Sequence, residues 1–180
     1  MKSDLRLNRR AISLGIFMLL CLYSVACSRT GSLQIEAQII YNMGGPQPIA
    51  RQTFYLLDSS WDQIVKSEFK AEDTSDKARL MAGASLMALL AVANSKVDLQ
   101  KEPTIKAFLE SKPFWEPHII QTTQTDFKGQ ATFENLKPGD YWVTGITETR
   151  SSVAIWNYKV SVKLGENKAM LDQNNALYSK

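Results

Sequence analysis

The sequence predicts a mainly β fold, a seven-stranded β-sandwich with a helical insertion between its second and third strands. Three observations lead to this prediction. Residues 33–41 alternate between apolar and polar side chains, which is the period of a half-buried strand. Six further short runs of strand type are separated by turns rich in Gly, Pro and Asn, as in β-sandwiches. Residues 58–112, between the second and third runs, change to a helical pattern.

The strands are predicted in chain order. Leu33–Tyr41 is the first, and Gln52–Leu57 is predicted to pair with it as a hairpin, across a Gly- and Pro-containing turn at residues 42–48. In the last long run, Ala154 to Leu164, every second residue is apolar, which indicates a strand with one buried face. The five later runs are His118–Thr125, Gly129–Phe133, Asp140–Glu148, Val153–Leu164 and Lys168–Leu171.

The insertion, about 58–112, is predicted to contain three helices. The first covers Trp61–Phe69, and Gln63 stands three residues after Ser60 as in a capping box. The second covers about Asp76–Asn94. The third runs from Pro103, a residue favoured in the first helical turn, to about Ser111 and ends before Pro113.

The first 26 residues are predicted to be a secretory signal peptide. A basic start is followed by an uncharged apolar stretch, Ala11–Ala26, which ends in small residues before Cys27. An uncleaved membrane anchor is the alternative, but these 16 residues are fewer than the roughly 20 that span a bilayer. The division is therefore 1–26 signal peptide, 27–32 tether and 33–180 sandwich.

Ser24-Val25-Ala26-Cys27 resembles the lipobox of bacterial lipoproteins, except that Ser24 stands where Leu is usual. The resemblance implies cleavage after Ala26 and lipidation of Cys27, which would anchor the chain to a membrane of the bacterial cell envelope, at the outer membrane or a periplasmic face. Ser24 and Ala26 also fit ordinary signal peptidase, so cleavage followed by soluble secretion is the alternative. Cys21 would be removed with the signal peptide, leaving Cys27 without a disulfide partner.

The charge of the chain lies mostly in its first segment. The sequence has 21 Lys and Arg and 18 Asp and Glu. Four of these basic residues and one acidic residue precede Cys27, which leaves 17 of each sign after cleavage. The part that remains is neutral, so no nucleic-acid partner is expected.

One stretch, residues 125–143, has a folding role at each marked position. Asp126 and Gly129 predict a tight turn with Gly at positive φ, and Ala131 and Phe133 point to one face of the next strand. The string resembles the signature of carboxypeptidase regulatory-like domains, also called transthyretin-like or prealbumin-like. The matching residues are Thr125, Asp126, Gly129, Phe133, Leu136, Pro138, Gly139, Tyr141 and Val143. The resemblance implies a transthyretin/Ig-like sandwich that serves as a non-catalytic module on secreted and surface proteins.

The segment Leu80–Ala93 is apolar on all sides and, at about 21 Å long as a helix, too short to span a membrane. Packing against the other helices and the sandwich is the main prediction. A groove for an oligomer or protein partner, and a face lying on a lipid surface, are the alternatives.

Five aromatic residues could form a platform that stacks on sugars. Trp156 and Tyr158 lie on the apolar face of their strand and are predicted to be core, while Trp61 and Trp115 flank the insertion and are predicted to fasten it to the sandwich. The fifth is Trp142. A secreted carbohydrate-binding module is therefore the alternative function.

No catalytic constellation is apparent. His118 is the single histidine and has no second His or free Cys with which to bind zinc, and no nucleophile at motif spacing. We expect no enzyme activity, no cofactor and no metal. The predicted function is a non-catalytic cell-envelope lipoprotein that mediates protein interaction, with a partner bound through the helical insertion.

Overall fold

The computed structural model describes residues 30–41, 44–68, 77–95, 101–149 and 153–179. These residues form two β-sheets and a layer of helices. The nine strands are β1 (Gly31–Tyr41), β2 (Gly45–Pro48), β3 (Thr53–Leu57), β4 (Ile119–Gln124), β5 (Gln130–Leu136), β6 (Gly139–Glu148), β7 (Val153–Val162), β8 (Gly165–Leu171) and β9 (Tyr178–Ser179). Each of the seven predicted strands is present, and the short β2 and β9 were not predicted.

The first sheet is built around β1. The first seven residues of this strand, Gly31 to Ala37, pair in parallel with β8, and Gly31 to Glu36 pair antiparallel with β5 on the other side. Residues Gln38 to Tyr41 pair antiparallel with β2. The predicted hairpin turn is therefore partly a strand, and it is β2 that forms the hairpin with β1.

The second sheet has the strand order β4-β3-β6-β7-β9. β3 lies between β4 and β6, so the predicted hairpin between β1 and β3 is wrong. The physical reason is that β3 is buried on both faces. Phe54 and Leu56 belong to the core between the sheets, whereas Leu57 packs under the helices, which cover the second sheet, so β3 belongs to that sheet.

The core between the sheets is apolar and largely buried. The alternation predicted for β1 is confirmed, because its inward side chains have at most 2% of their surface exposed. Trp156 of β7 also lies in this core, where its indole Nε1 donates to the carbonyl of Asp172 at 3.1 Å. The β1 side chains are Leu33, Ile35, Ala37 and Ile39.

Strand β7 is shorter than the sequence predicts. It ends at Val162, and Leu164 has 60% of its surface exposed instead of continuing the buried face. The reason is the turn at Gly165, which has a φ of +85° and leads the chain into the other sheet.

Three helices cover the outer face of the second sheet. They are α1 (Trp61–Glu68), α2 (Lys77–Ser95) and α3 (Lys101–Trp115), and a 3-10 turn at Glu116–His118 leads into β4. The predicted insertion is confirmed at its place in the chain, between the strands counted second and third in the sequence. Side chains of β3, β6 and β7 form a second apolar cluster with the helices, including Leu57, Trp142, Ile146 and Ile155.

Helix α3 continues through Pro113, although the sequence predicts that it ends before this residue. Phe114 and Trp115 have 3% and 0% of their surface exposed, so the last turn buries two large aromatic side chains. Proline removes the bond to the carbonyl of Leu109, which lies on the exposed side of the helix. Burial of the two aromatic rings outweighs this lost bond.

The capping box predicted for α1 is confirmed. Ser60 Oγ accepts from the Gln63 amide at 3.1 Å, and Gln63 Oε1 accepts from the Ser60 amide at 2.9 Å. Two amides at the start of the helix thus have partners.

Replacing Ser60 with alanine is expected to destabilise the protein by about 1 kcal/mol, because the Gln63 amide loses its acceptor. Urea unfolding followed by circular dichroism measures this. Ser67→Ala is the matched control, since the Ser67 hydroxyl donates to the carbonyl of Ile64 within the same helix and caps nothing. An equal loss of unfolding free energy in the two variants would show that the cap stabilises the protein no more than the Ser67 hydrogen bond does.

The predicted turn at Asp126 and Gly129 is confirmed. Asp126 Oδ1 accepts from the amides of Lys128 and Gln130, both at 2.8 Å, and Gly129 has a φ of +76°. The buried Thr125 Oγ1 donates to the carbonyl of Ile49 at 2.6 Å. This stretch therefore has the folding role that its sequence predicts.

Candidate functional site

The helical layer is fastened to the sandwich by two tryptophans. Trp61 begins α1 and Trp115 ends α3, and both side chains are fully buried, as the sequence predicts. Their rings lie 6.4 Å apart with an interplanar angle of 30°. Phe108 packs against both, at 5.9 and 5.7 Å between ring centroids. The two ends of the insertion therefore meet in one aromatic cluster.

Polar contacts fix the position of the Trp115 ring and of the main chain at Trp61. Trp115 Nε1 donates to Ser111 Oγ at 3.1 Å. The main-chain amide of Trp61 donates to Asn157 Oδ1 at 3.2 Å, and Asn157 Nδ2 donates to Thr144 Oγ1 at 2.9 Å. The start of α1 is thus tied to β7 and β6 through one partly buried amide side chain.

His118 lies at the same end of the layer. Its Nδ1 is 2.9 Å from Asp58 Oδ1 and its Nε2 is 3.9 Å from Glu68 Oε1. Glu68 also forms an ion pair with Arg79 at the start of α2, and the Arg79 guanidinium lies 5.9 Å from the ring centroid of Phe114. This network joins the end of β3 to all three helices. The sequence predicts His118 as the first residue of a strand, whereas it is the last residue of the 3-10 turn before β4, and nothing in its spacing indicated these partners.

The opposite end of the layer is held by Lys101, the first residue of α3. Its Nζ lies 2.7 Å from Glu148 Oε1 and also donates to the carbonyl of Thr149. Both partners are at the end of β6. The helices are therefore attached to the second sheet at both ends, and their outward surface has a fixed orientation.

Helix α2 is buried on one side only. The side chains that face the sandwich and α3 have at most 8% of their surface exposed, which confirms the predicted internal packing for that half of the helix. They are Ala82, Leu86, Leu89 and Leu90.

The other side of α2 remains apolar and exposed. Leu80, Met81 and Met87 have 45%, 64% and 48% of their surface exposed, and Leu109 of α3 has 59%. We call these four residues the α2–α3 face. A groove of about 400 Å³ lies beside one of them, Met81, and is lined on the other helix by Glu110 and Pro113. The sequence analysis identifies the apolar residues 80–93 but not Leu109, which directly follows the buried Phe108 in α3.

Most of the aromatic residues considered for sugar stacking are inaccessible. Trp61, Trp115 and Trp156 are fully buried, and Trp142 and Tyr158 are partly buried against the two apolar clusters. A sugar ring in solvent can stack only on an exposed aromatic face, so the three buried tryptophans cannot supply the predicted platform.

A small charged group lies on the outer surface of β6 and β7. Lys159 Nζ is 2.7 Å from Asp140 Oδ2, and the Ser161 hydroxyl donates to Asp140 Oδ1. The hydrogen bond from Lys159, followed by that from Ser161, holds the pKa of the Asp140 carboxyl below its ordinary value of 3.8.

A carbon-detected NMR titration is expected to give a pKa for Asp140 below 3.8, and Lys159→Gln is expected to raise it. Because the folded-state pKa is the lower one, the stabilisation by this group is present above the unfolded pKa and is lost as the pH falls through the folded value. Lys137→Gln, on the preceding loop, is the control. An Asp140 pKa that is the same with and without Lys159 would contradict the assignment.

The remaining site predictions concern metals, membranes and Cys27. Within the ranges described above, no group of three or more His, Cys, Asp or Glu side chains is placed to hold a metal ion. None of the helices in those ranges combines the length and apolar character needed to cross a membrane. Cys27 and Ala26, the predicted lipidation and cleavage positions, lie outside the described residues.

No protein-family model matches this sequence, and no curated protein matches it either. The resemblance to carboxypeptidase regulatory-like domains therefore stays a prediction, although the chain does form a β-sandwich with two sheets.

Several solved structures share a weak similarity with the chain. One is a candidate carbohydrate-binding protein from Pseudomonas aeruginosa, at 11% identity and a TM-score of 0.39, with 84% of this chain and 95% of that one covered. The minor pilin of Streptococcus agalactiae matches at 16% identity and a TM-score of 0.34, over 78% of this chain and 49% of that one. A major pilin of Corynebacterium diphtheriae matches at 14% identity and a TM-score of 0.33, over 79% of this chain and 32% of that one. The chain thus spans less than half of either pilin. Similarities this low establish neither family nor function.

Proposed function

We propose that this chain is a non-catalytic bacterial cell-envelope lipoprotein, in which the sandwich holds the helical insertion in place for a protein partner. The observation that supports this best is the α2–α3 face. Its four large apolar side chains are each between 45% and 64% exposed, on helices attached to the sheet at both ends. Exposed apolar surface of this kind, on a fixed support, is typical of protein interaction sites.

Methionine suits such a surface. Met81 and Met87 are unbranched and polarisable, so their side chains can adapt to the shape of a partner. Ala84, Ala88 and Ala91 also lie exposed on α2 and would let a partner helix approach closely. The groove beside Met81 offers a place for one large apolar side chain of the partner.

The membrane attachment in this proposal depends on Cys27. Strand β1 begins at Gly31, four residues after Cys27, and an extended chain of that length spans at most about 14 Å. A lipid on Cys27 would therefore keep the sandwich close to the membrane surface. Two acyl chains on one cysteine would suffice for stable attachment.

Metabolic labelling with a palmitate analogue tests the attachment. The wild-type chain is expected to be labelled and to sediment with membranes, and Cys27→Ser is expected to lose both properties. A wild-type chain without label, or a Cys27→Ser variant that stays with the membranes, would end the lipoprotein proposal.

Site-specific photo-crosslinking in cells tests the partner surface. A photoreactive phenylalanine analogue at Met81 or Met87 is expected to give one discrete adduct, which is lost on adding Leu80→Asp. The matched control position is Ile120, which is 44% exposed on β4 of the sandwich. Adducts of equal yield from Ile120, or adducts that survive Leu80→Asp with the fold intact, would show that the α2–α3 face is not the binding surface.

A further inference from the structure

The sandwich is open along one side, between β7 of the second sheet and β8 of the first. The chain passes from one strand to the other in a short turn, so that the two strand edges face each other without pairing. The space between them is a cleft of about 600 Å³. It shares no lining residue with the groove beside Met81.

Both ends of the cleft are held by side-chain hydrogen bonds. At the turn, Asn167 Oδ1 accepts from the Lys163 amide at 3.0 Å and its Nδ2 donates to the Lys163 carbonyl at 2.8 Å. At the other end, Asn175 Nδ2 donates to the carbonyl of Met170, and its Oδ1 accepts from the Asp172 amide at 3.0 Å. These contacts fix the conformation of the turn at one end of the cleft and of the loop at the other.

The edge of β7 presents unpaired main-chain groups to this cleft. The carbonyl of Ile155 accepts from the Leu177 amide at 2.8 Å, which shows that it points away from β6. Along a strand, the main-chain groups of every second residue point to the same side. Those of Lys159 and Ser161 therefore point away from β6, as those of Ile155 do. Strand β9 pairs only with Ala154 and Ile155. Within the described residues, the main-chain groups of Lys159 and Ser161 have no partner on this side.

The cleft has an apolar floor and exposed lysines at its rim. Among the described residues, its one acidic lining side chain, Asp172, is only 8% exposed and accepts from the Asn174 amide at 2.8 Å. Tyr158 and Ala169 are only partly buried where the sandwich opens, so an additional strand could cover them. Lys163 and Lys168 line the rim, and neither has an acidic partner within 4.0 Å among the described residues. Lys159, the third lysine, is already paired with Asp140.

The charge of the rim indicates the occupant. A second copy of this chain would bring its own lysines to the same edge, and like charges at a strand edge oppose such pairing. An extended segment with acidic side chains would instead place carboxylates beside Lys163 and Lys168 while its amides and carbonyls pair with β7.

We propose that the cleft between β7 and β8 binds an extended acidic segment of another protein, which adds to the edge of β7 as a further strand. The main chain of the segment pairs with Lys159 and Ser161. Its inward side chains cover Tyr158 and Ala169, and its acidic side chains face Lys163 and Lys168.

The test uses the chain as it is made in the cell, purified in detergent, and three synthetic peptides of about eight residues. The first alternates valine and glutamate, the second has lysine in place of glutamate, and the third is the first with alternate amides methylated. Calorimetry is expected to detect binding of the first peptide only. Hydrogen exchange is expected to slow at the amides of Lys159 and Ser161 when that peptide is bound.

Charge reversal in the protein supplies the second arm. Lys163→Glu with Lys168→Glu is expected to weaken binding of the valine–glutamate peptide about tenfold. Lys128→Glu is the matched control, because Lys128 is exposed in the turn before β5, across β1 from β8. Thermal unfolding of both variants verifies that the fold is kept.

Several results would overturn the proposal. Equal binding of the methylated peptide would show attraction between charges without strand addition, and equal binding of the lysine peptide would exclude an acidic occupant. No binding of the valine–glutamate peptide at millimolar concentration would remove the site. Self-association that is lost in the double variant would assign the edge to a second copy of the chain.

Discussion

Replacing Trp115 with alanine is expected to lower the free energy of unfolding by about 3–5 kcal/mol. The side chain is fully buried and contacts both Trp61 and Phe108, so its loss leaves a large cavity where the two ends of the insertion meet. The hydrogen bond from its Nε1 to Ser111 is lost as well. Because this cluster also joins the helices to β3 through Tyr55, at 5.3 Å between ring centroids, the whole layer is weakened.

Urea unfolding followed by circular dichroism measures this loss. Trp142→Ala is the control, since Trp142 is a tryptophan on the same apolar cluster that is only partly buried, and its loss should cost clearly less. The α2–α3 face should also become more exposed to proteases in Trp115→Ala, at lower temperatures than in the control. Equal losses for the two variants would contradict the role given to the Trp61–Trp115 pair.

Gly129→Ala is expected to destabilise the protein by about 2–4 kcal/mol. Gly129 has a φ of +76°, and an added Cβ would lie 2.4 Å from the main-chain oxygen of Ala37. The turn cannot move away without cost, because the carbonyl of Gly129 accepts from the Ala37 amide at 2.8 Å. The carbonyl of Ala37 in turn accepts from the Ile49 amide at 2.8 Å.

A second glycine separates the two causes. Gly165 has a φ of +85° but nothing within 4 Å of an added Cβ, so Gly165→Ala should show the conformational cost alone, about 1 kcal/mol. The difference between the two variants then measures the close approach to β1. If Gly165→Ala costs as much as Gly129→Ala, the contact with Ala37 contributes nothing.

The local structure was largely predictable from the sequence, because it depends on neighbouring residues. The alternation from Leu33 to Tyr41 gave β1, the pair Ser60 and Gln63 gave the start of α1, and Asp126 with Gly129 gave the turn before β5. In the cap and the turn, the hydrogen-bonded groups are only a few residues apart, so the pattern contains the local interaction. For β1, the alternation shows only which side chains face the core.

The pairing of the strands was not predictable in the same way. A period of two shows that a strand has a buried face, but it does not show which strand lies beside it. The β3 strand could therefore be recognised but not assigned to the second sheet. Pro113 gave a misleading helix end, because the burial of Phe114 and Trp115 is a tertiary effect that a local rule cannot contain.

The candidate surfaces were only partly predictable. The segment 80–93 is recognisable in the sequence as apolar. It has no polar side, however, that would distinguish the buried face of the helix from the exposed one. The β7–β8 cleft could not be predicted at all, since it depends on the edges of two strands that belong to different sheets.

The position of β1 between β5 and β8 has a consequence for the order in which the chain can fold. Gly31, at the beginning of β1, pairs with Gly165, and Ala37 pairs with Leu171. Among the described strands, the first therefore pairs with the eighth of nine, which is synthesised much later. Pairing over such a sequence distance is slow, because the intervening chain must be closed into a loop first. An unfinished chain that stops at Val162 would leave one edge of β1 uncovered. The first sheet can therefore be completed only once residues up to Leu171 are available.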